Sequence, residues 1–302
     1  MPLPQRAPRQ ELAHTCSVID VKGWIKPDKR DDGPPPDPGE RRAIIIEISI
    51  VLLVTFGLSG LSSILSLVED ALLAGSLADQ TVALNTSSSS LGIIDLLYQV
   101  LRILRLCAWG ALGLYLLWRA GLGPRLVGLG RPRAKTDLLQ GLGLAALIGL
   151  PGLLFYLVGN TVGLNLTVVP STIDDHWWRI PALIAYAFAN SGAEEIVVVA
   201  YLISRLRRLG MGENSSLLLS ALLRGSYHLY QGLGAGVGNL LMGIVFGRFW
   251  QRRTDCGRCC SRMRSSTSSR SSATPSSATI SRGCPSSSLR ISSPPSACTV
   301  DP

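Results

Sequence analysis

The chain has 302 residues, 47% hydrophobic and 16% charged, with a formal net charge of +9 and a mean hydropathy of +0.31. That is too apolar for an ordinary soluble protein of this size, and several runs approach or exceed the ~20 apolar residues a spanning helix needs. The expected fold class is therefore all-α, a polytopic transmembrane helical bundle with polar termini. Nucleic acid is not the expected partner of the positive charge: the basic residues gather in short loops between apolar runs, as membrane topology dictates, and no aromatic–basic interleaving offers bases a stacking surface.

Residues 1–42 are polar and proline-rich and lack the early apolar core of a signal peptide. They read as a flexible cytoplasmic arm. A transmembrane domain is expected over 43–253, with six spans near 43–68, 94–118, 138–158, 180–204, 217–231 and 234–250. The second contains Arg102 and Arg105, the third Pro151, and the fifth is short and interrupted by Arg224. Arg119, Arg125, Arg131, Arg133 and Lys135 follow span two. Arg205, Arg207 and Arg208 follow span four, and Arg248, Arg252 and Arg253 end span six. The alternate loops carry Glu69, Asp70, Asp79, Asp174 and Asp175, with Arg179 as their basic residue. The positive-inside rule then makes the N-terminus cytoplasmic and accommodates six spans without conflict. Trp177 and Trp178 fall where an outer aromatic belt is expected.

Glu194 and Glu195 stand side by side inside span four, with Arg179 and Arg205 as the nearest cations in sequence. A charge at the bilayer centre costs roughly 3 kcal/mol or more, so such residues face a cavity, a partner or a substrate. Glu194 lies ~15 Å from the cytoplasmic end of its span at 1.5 Å per residue, His228 ~18 Å into span five, and Asn239 ~14 Å into span six. Three polar groups on consecutive spans thus meet at one level. A carboxylate and an imidazole can activate a water, the first taking its proton and the second orienting it or stabilising charge. Arg224 precedes His228 by four residues and shares its helical face. An interhelical pair between Glu195 and Arg224 would fix the spacing of spans four and five, although an arginine there can also snorkel to the surface.

The glutamate pair, the single histidine of LLRGSYHLYQG and the following GNLLMGIVFG together resemble the CPBP family of CAAX-protease and bacteriocin-processing intramembrane proteases, related to the Ras-converting endopeptidase. The resemblance covers roughly residues 95–253, with its motifs in 180–250. It implies an endopeptidase that cleaves a membrane protein or peptide within the lipid bilayer, in a bacterial cell membrane. By resemblance, Glu194 is the water-activating base, His228 its catalytic partner and Glu195 a structural residue. Asn239 would support the site. The family pattern is Glu-Glu-x-x-x-Arg, then Phe-x-x-x-His, then His-x-x-x-Asn or a similar residue. Here the arginine position is Val199, the phenylalanine position is Arg224, and the third motif is absent. The first two departures look compensatory, the cation having moved from span four to span five. Relatives are often called metalloproteases, so a divalent metal such as zinc is the one cofactor the resemblance raises. Glu194 and His228 would be its ligands, although one membrane histidine supports such a site poorly.

After residue 254 the composition turns to Ser, Arg, Pro and Thr. Cys256, Cys259 and Cys260 have no second Cys/His pair at zinc-ligand spacing. The ordinary reading of 254–302 is a low-complexity tail. The genetic code offers a sharper one. Serine codons TCN read one base out of register become NTC, encoding Leu, Ile, Val or Phe. From Met263, shifted to NAT, an allowed reading is P-V-L-L-A-H-A-L-F-D-I-L, which restores His-x-x-x-Asp inside an apolar helix. The tail is thus expected to be out of frame and the activity of this chain impaired. Two other classes fit the same composition: a non-catalytic membrane protein of the same fold, of immunity or scaffold type, and a proton-coupled transporter. The latter usually shows internal repeats and paired broken helices, which are not evident.

Overall fold

The computed structural model describes residues 34–72, 80–123, 134–163 and 165–268. The first part of the expected arm and the tail beyond Ser268 lie outside them. The described chain is helical apart from two three-residue strands. Among the described residues four helices are long and apolar enough to cross a membrane, five when one bent pair counts as a single span, which makes this an integral membrane protein. That is fewer than the six spans expected.

Helix α1 (Pro38–Val54) begins inside the expected arm because Asp37 caps it, its carboxylate accepting from the Glu40 amide at 2.7 Å, with Pro38 at the start. It breaks at Thr55 and continues, bent by 54°, as α2 (Phe56–Leu72). The expected first span is therefore a broken one. The Thr55 hydroxyl donates back to the Val51 carbonyl at 2.7 Å, and the two competing donors on that carbonyl accompany the bend.

Helix α3 (Gly92–Arg119) and helix α4 (Ala134–Thr161), the latter running through Pro151, match expected spans two and three. Helix α5 (Arg179–Arg208) holds the glutamate pair. Its segment Glu195–Tyr201 is π-helical. Three of these residues are consecutive valines, whose branched side chains crowd the preceding turn of a helix. Single π turns inside α-helices occur most often at functional sites.

The expected fifth span is instead α6 (Glu213–Ser226), a helix of 14 residues, followed by a turn and a 3₁₀ segment at Leu229–Gln231. At 1.5 Å per residue it is ~21 Å long, short of the ~30 Å hydrocarbon core. Gly232, at φ 108°, reverses the chain into α7 (Leu233–Ser268). That helix continues past residue 254 into the expected tail.

In lipid the chain gains little by burying one apolar side chain against another, so close backbone approach and polar pairs hold helices together. A Cβ on Gly113 of α3 would sit 2.9 Å from Ile196, and one on Gly225 of α6 would sit 2.9 Å from the Gly236 carbonyl of α7. One on Gly243 would meet Ala221 at 3.1 Å. Val197, Val198, Tyr201 and Ile203 are fully buried at the centre, while α4 and the outer faces of α1 to α3 expose large apolar side chains, as a lipid-facing surface should. Strands β1 (Thr81–Ala83) and β2 (Thr167–Val169) pair in parallel. Next to β2, Asn165 bridges to Gly232 and its side chain accepts from the Ala235 amide at 3.1 Å. This ties the loops opposite the Arg205–Arg208 cluster to the turn after His228.

Candidate active site

The π segment begins one residue after Glu194, so Glu194 ends a regular α-helix and Glu195 starts the wider turn. A wider turn shifts the hydrogen-bond register, and its carbonyls need partners. Ser220 of α6 supplies one, its hydroxyl donating to the Val198 carbonyl at 2.7 Å. This contact brings α6 against α5 one helical turn before Arg224.

Arg224 is buried, and it reaches both glutamates. Its Nη1 lies 2.6 Å from Glu195 Oε1 and its Nη2 lies 3.1 Å from Glu194 Oε2. The pairing expected with Glu195 is present, but Arg224 is not reserved for it. Glu194 is 5% exposed. Its other oxygen, Oε1, accepts from Asn190 Nδ2 at 2.7 Å, one turn earlier on the same helix. The Glu195 side chain is 41% exposed. Arg224 also lies over the Phe246 ring of α7, 5.6 Å from its centroid. One cation thus faces two carboxylates, and removing one member of such a buried cluster typically costs about 3–5 kcal/mol.

His228 does not lie on a helix shared with Arg224, because α6 ends at Ser226. It sits on the following turn, half-buried, within electrostatic reach of Glu194. Its Nδ1 is 3.0 Å from the Arg224 carbonyl oxygen. A carbonyl only accepts, so this contact assigns the proton to Nδ1 and leaves Nε2 as an acceptor. Asn239 is not brought to the site by any hydrogen bond among the described residues. Its amide donates to the Ala235 carbonyl of its own helix at 3.0 Å.

Three participants were not anticipated. Asn190 and Ser220 carried no sequence signal beyond polarity in an apolar run. Tyr227 immediately precedes His228. Its ring packs on Phe56 at 5.0 Å and on His228 at 4.7 Å, and its carbonyl accepts from Ser63 at 3.2 Å. The broken first span therefore reaches the site through Phe56 and Ser63. The Tyr227 hydroxyl and Arg224 Nε are buried and have no hydrogen-bond partner among the described residues. A buried polar group left unsatisfied costs about 1–3 kcal/mol.

A catalytic zinc takes three protein ligands and keeps one open position. Among the described residues no three His, Cys, Asp or Glu side chains converge, and both Glu194 oxygens are already engaged. These residues do not fit a metal, and no step is routed through one.

Residues 176–257 match the family model described as Type II CAAX prenyl endopeptidase Rce1-like. The resemblance carried by the glutamate pair and His228 therefore holds over that segment, which is shorter than the 95–253 expected. No curated protein and no solved structure matches the chain.

Proposed function

We propose that this protein is an intramembrane endopeptidase that cleaves a peptide bond of a membrane protein or peptide with a water activated by Glu194 and His228. The observation that carries the reading is a buried mid-span carboxylate, Glu194, within electrostatic reach of an imidazole whose Nε2 is free to accept. The match over residues 176–257 to an endopeptidase family supports it. Glu194 takes the proton of the water and the oxygen attacks the carbonyl carbon. Collapse of the tetrahedral intermediate expels the amine, which takes the proton back from Glu194. His228 holds the water through Nε2. Glu195 and Arg224 set the distance between α5 and α6, and Asn239 stiffens the start of α7. The N-terminus is on the cytoplasmic side, in a bacterial cell membrane.

The ion pair between Glu194 and Arg224 favours a second reading, in which the same cluster is a structural staple in a non-catalytic membrane protein. Purified protein and its Glu194→Ala variant, each in detergent and offered a library of membrane-spanning peptides, separate the two. The endopeptidase reading expects cleavage by the first and a loss of about 10²–10⁴-fold in the variant. Equal cleavage by both rejects the catalytic role of Glu194 and supports the staple.

We also read residues 254–302 as translated out of frame. Without the third motif the chain loses donors that stabilise the oxyanion, each worth about 10²–10³ in rate, so cleavage by this chain is slow. Resequencing of the gene decides the frame: a shifted frame with no apolar helix ends that idea.

A further inference from the structure

Two donors of the site, the Tyr227 hydroxyl and Arg224 Nε, are buried without a well-formed hydrogen bond, and both residues interact electrostatically with Glu194. A guanidinium presents Nε–H and one Nη2–H as a parallel fork along one edge. At Arg205 and Arg208 that edge is fully used. Arg205 grips Glu47 with Nε at 2.8 Å and Nη2 at 2.7 Å, and Arg208 grips Glu40 with Nε and Nη2 at 2.9 Å each. Arg224 uses only half of it: Nη2 holds Glu194 while Nε, next to it on the fork, is buried and unpartnered. Tyr227 is 6% exposed, and its hydroxyl lies close enough to the Glu194 carboxylate to interact with it but meets no partner with full hydrogen-bond geometry. Its ring is held between Phe56 and His228, so the hydroxyl is fixed rather than free to swing.

We propose that Tyr227 Oη and Arg224 Nε form a donor pair for the oxygen of a peptide carbonyl beside Glu194, and that they stabilise the oxyanion formed there. The inference rests on the endopeptidase reading and supplies it with oxyanion donors inside the described residues. An oxygen with two lone pairs suits two donors. The charge balance favours a carbonyl over a resident anion, because two carboxylates already face one guanidinium and would repel phosphate or a free carboxylate. In the attack, water forms a bond to the carbonyl carbon, its proton goes to Glu194, and the π pair moves to the carbonyl oxygen. Tyr227 O–H and Arg224 Nε–H donate to that oxygen. Collapse returns the pair to the C=O bond, breaks C–N, and the leaving nitrogen takes the proton from Glu194. Preorganised donors in a water-poor site are the form such stabilisation usually takes.

The probe is a leucine- and alanine-rich peptide with one central phosphinate in place of a peptide bond, alongside the same peptide with an ordinary bond. Binding to the purified full chain in detergent is read by thermal shift and calorimetry, with no need for turnover. The phosphinate, bound with a proton on Glu194 as in the tetrahedral intermediate and so without the repulsion a resident anion would meet, should bind the wild type at least tenfold more tightly than the parent peptide. Tyr227→Phe, which keeps the packing ring, should bind it about tenfold or more weakly, and Arg224→Lys, which keeps the charge but loses the fork, should do the same. In the cleavage assay Tyr227→Phe should lower kcat by about 10²-fold with KM little changed. Equal phosphinate binding by wild type and Tyr227→Phe overturns the inference, as does a wild type that prefers neither peptide. If cleavage then still depends on Glu194, the endopeptidase reading survives alone. If phosphinate binding depends on Tyr227 while no peptide is cut, the donor pair stands and the endopeptidase reading falls.

Discussion

Two glutamates in apolar helices meet arginines in this protein, and they are held in opposite ways. Glu47, on α1, is saturated: Arg205 grips both its oxygens and the Tyr201 hydroxyl donates to one at 2.9 Å. Glu194, on α5, shares its arginine with a second carboxylate, and a tyrosine nearby stays unbonded. The chemistry on hand is the same in both places, Glu with Arg and Tyr. A cluster with every donor spent acts as a clamp between α1 and α5, while one with donors in hand can accept a further group. Partnership, more than burial, separates structure from site.

The comparison breaks most visibly at Arg224. Arg224→Leu leaves a buried carboxylate without its cation and should destabilise the protein by about 3–5 kcal/mol in detergent denaturation. An unchanged unfolding midpoint would show that Arg224 does not hold the glutamates. Glu47→Gln sharpens the other side. It removes the charge from a bidentate grip and should cost about 1.5–3 kcal/mol, while cleavage per folded molecule stays within twofold of wild type. A large loss of turnover at constant folded fraction would make the clamp part of the site. Smallest is Ser220→Ala, which frees the Val198 carbonyl and should cost about 1 kcal/mol. Amide exchange should speed locally in 195–201, and exchange unchanged there would deny Ser220 its part in holding the π turn.

Hydropathy made the membrane class and most spans legible, since length and apolarity are what a bilayer selects. The cost of a buried charge made Glu194, Glu195 and Arg224 stand out. Glu47 sits in the run AIIIEISIVLLV and carries the same signal, but its nearness to Arg41 and Arg42 lets it pass for an interfacial residue. The breaks were hidden. An apolar run reads alike whether its hydrogen bonds are α or π, and the bend at Thr55 is a matter of backbone register. The early end of α6 was missed for a related reason: Tyr227, Leu229 and Tyr230 continue the apolar pattern past the point where the helix stops. Tyr227 itself could not be found from sequence, because an orphaned hydroxyl is defined by its neighbours.

The π turn at Glu195–Tyr201 also sets how much change this helix can absorb. Each helical residue advances the face by about 100°. Deleting one valine would let the wide turn relax to ordinary helix with little change of phase beyond it, whereas deleting one residue from the regular helix at Leu202–Ser204 would swing everything beyond it by that angle. Arg205 would leave Glu47, Arg208 would leave Glu40, and Arg207 would leave Glu213, all three being ion pairs here. The glutamates at one end and the arginines at the other are phased by that single turn. The wide turn is thus the one stretch of this helix that could lose a residue and keep both ends in phase, while the regular turns on either side could not.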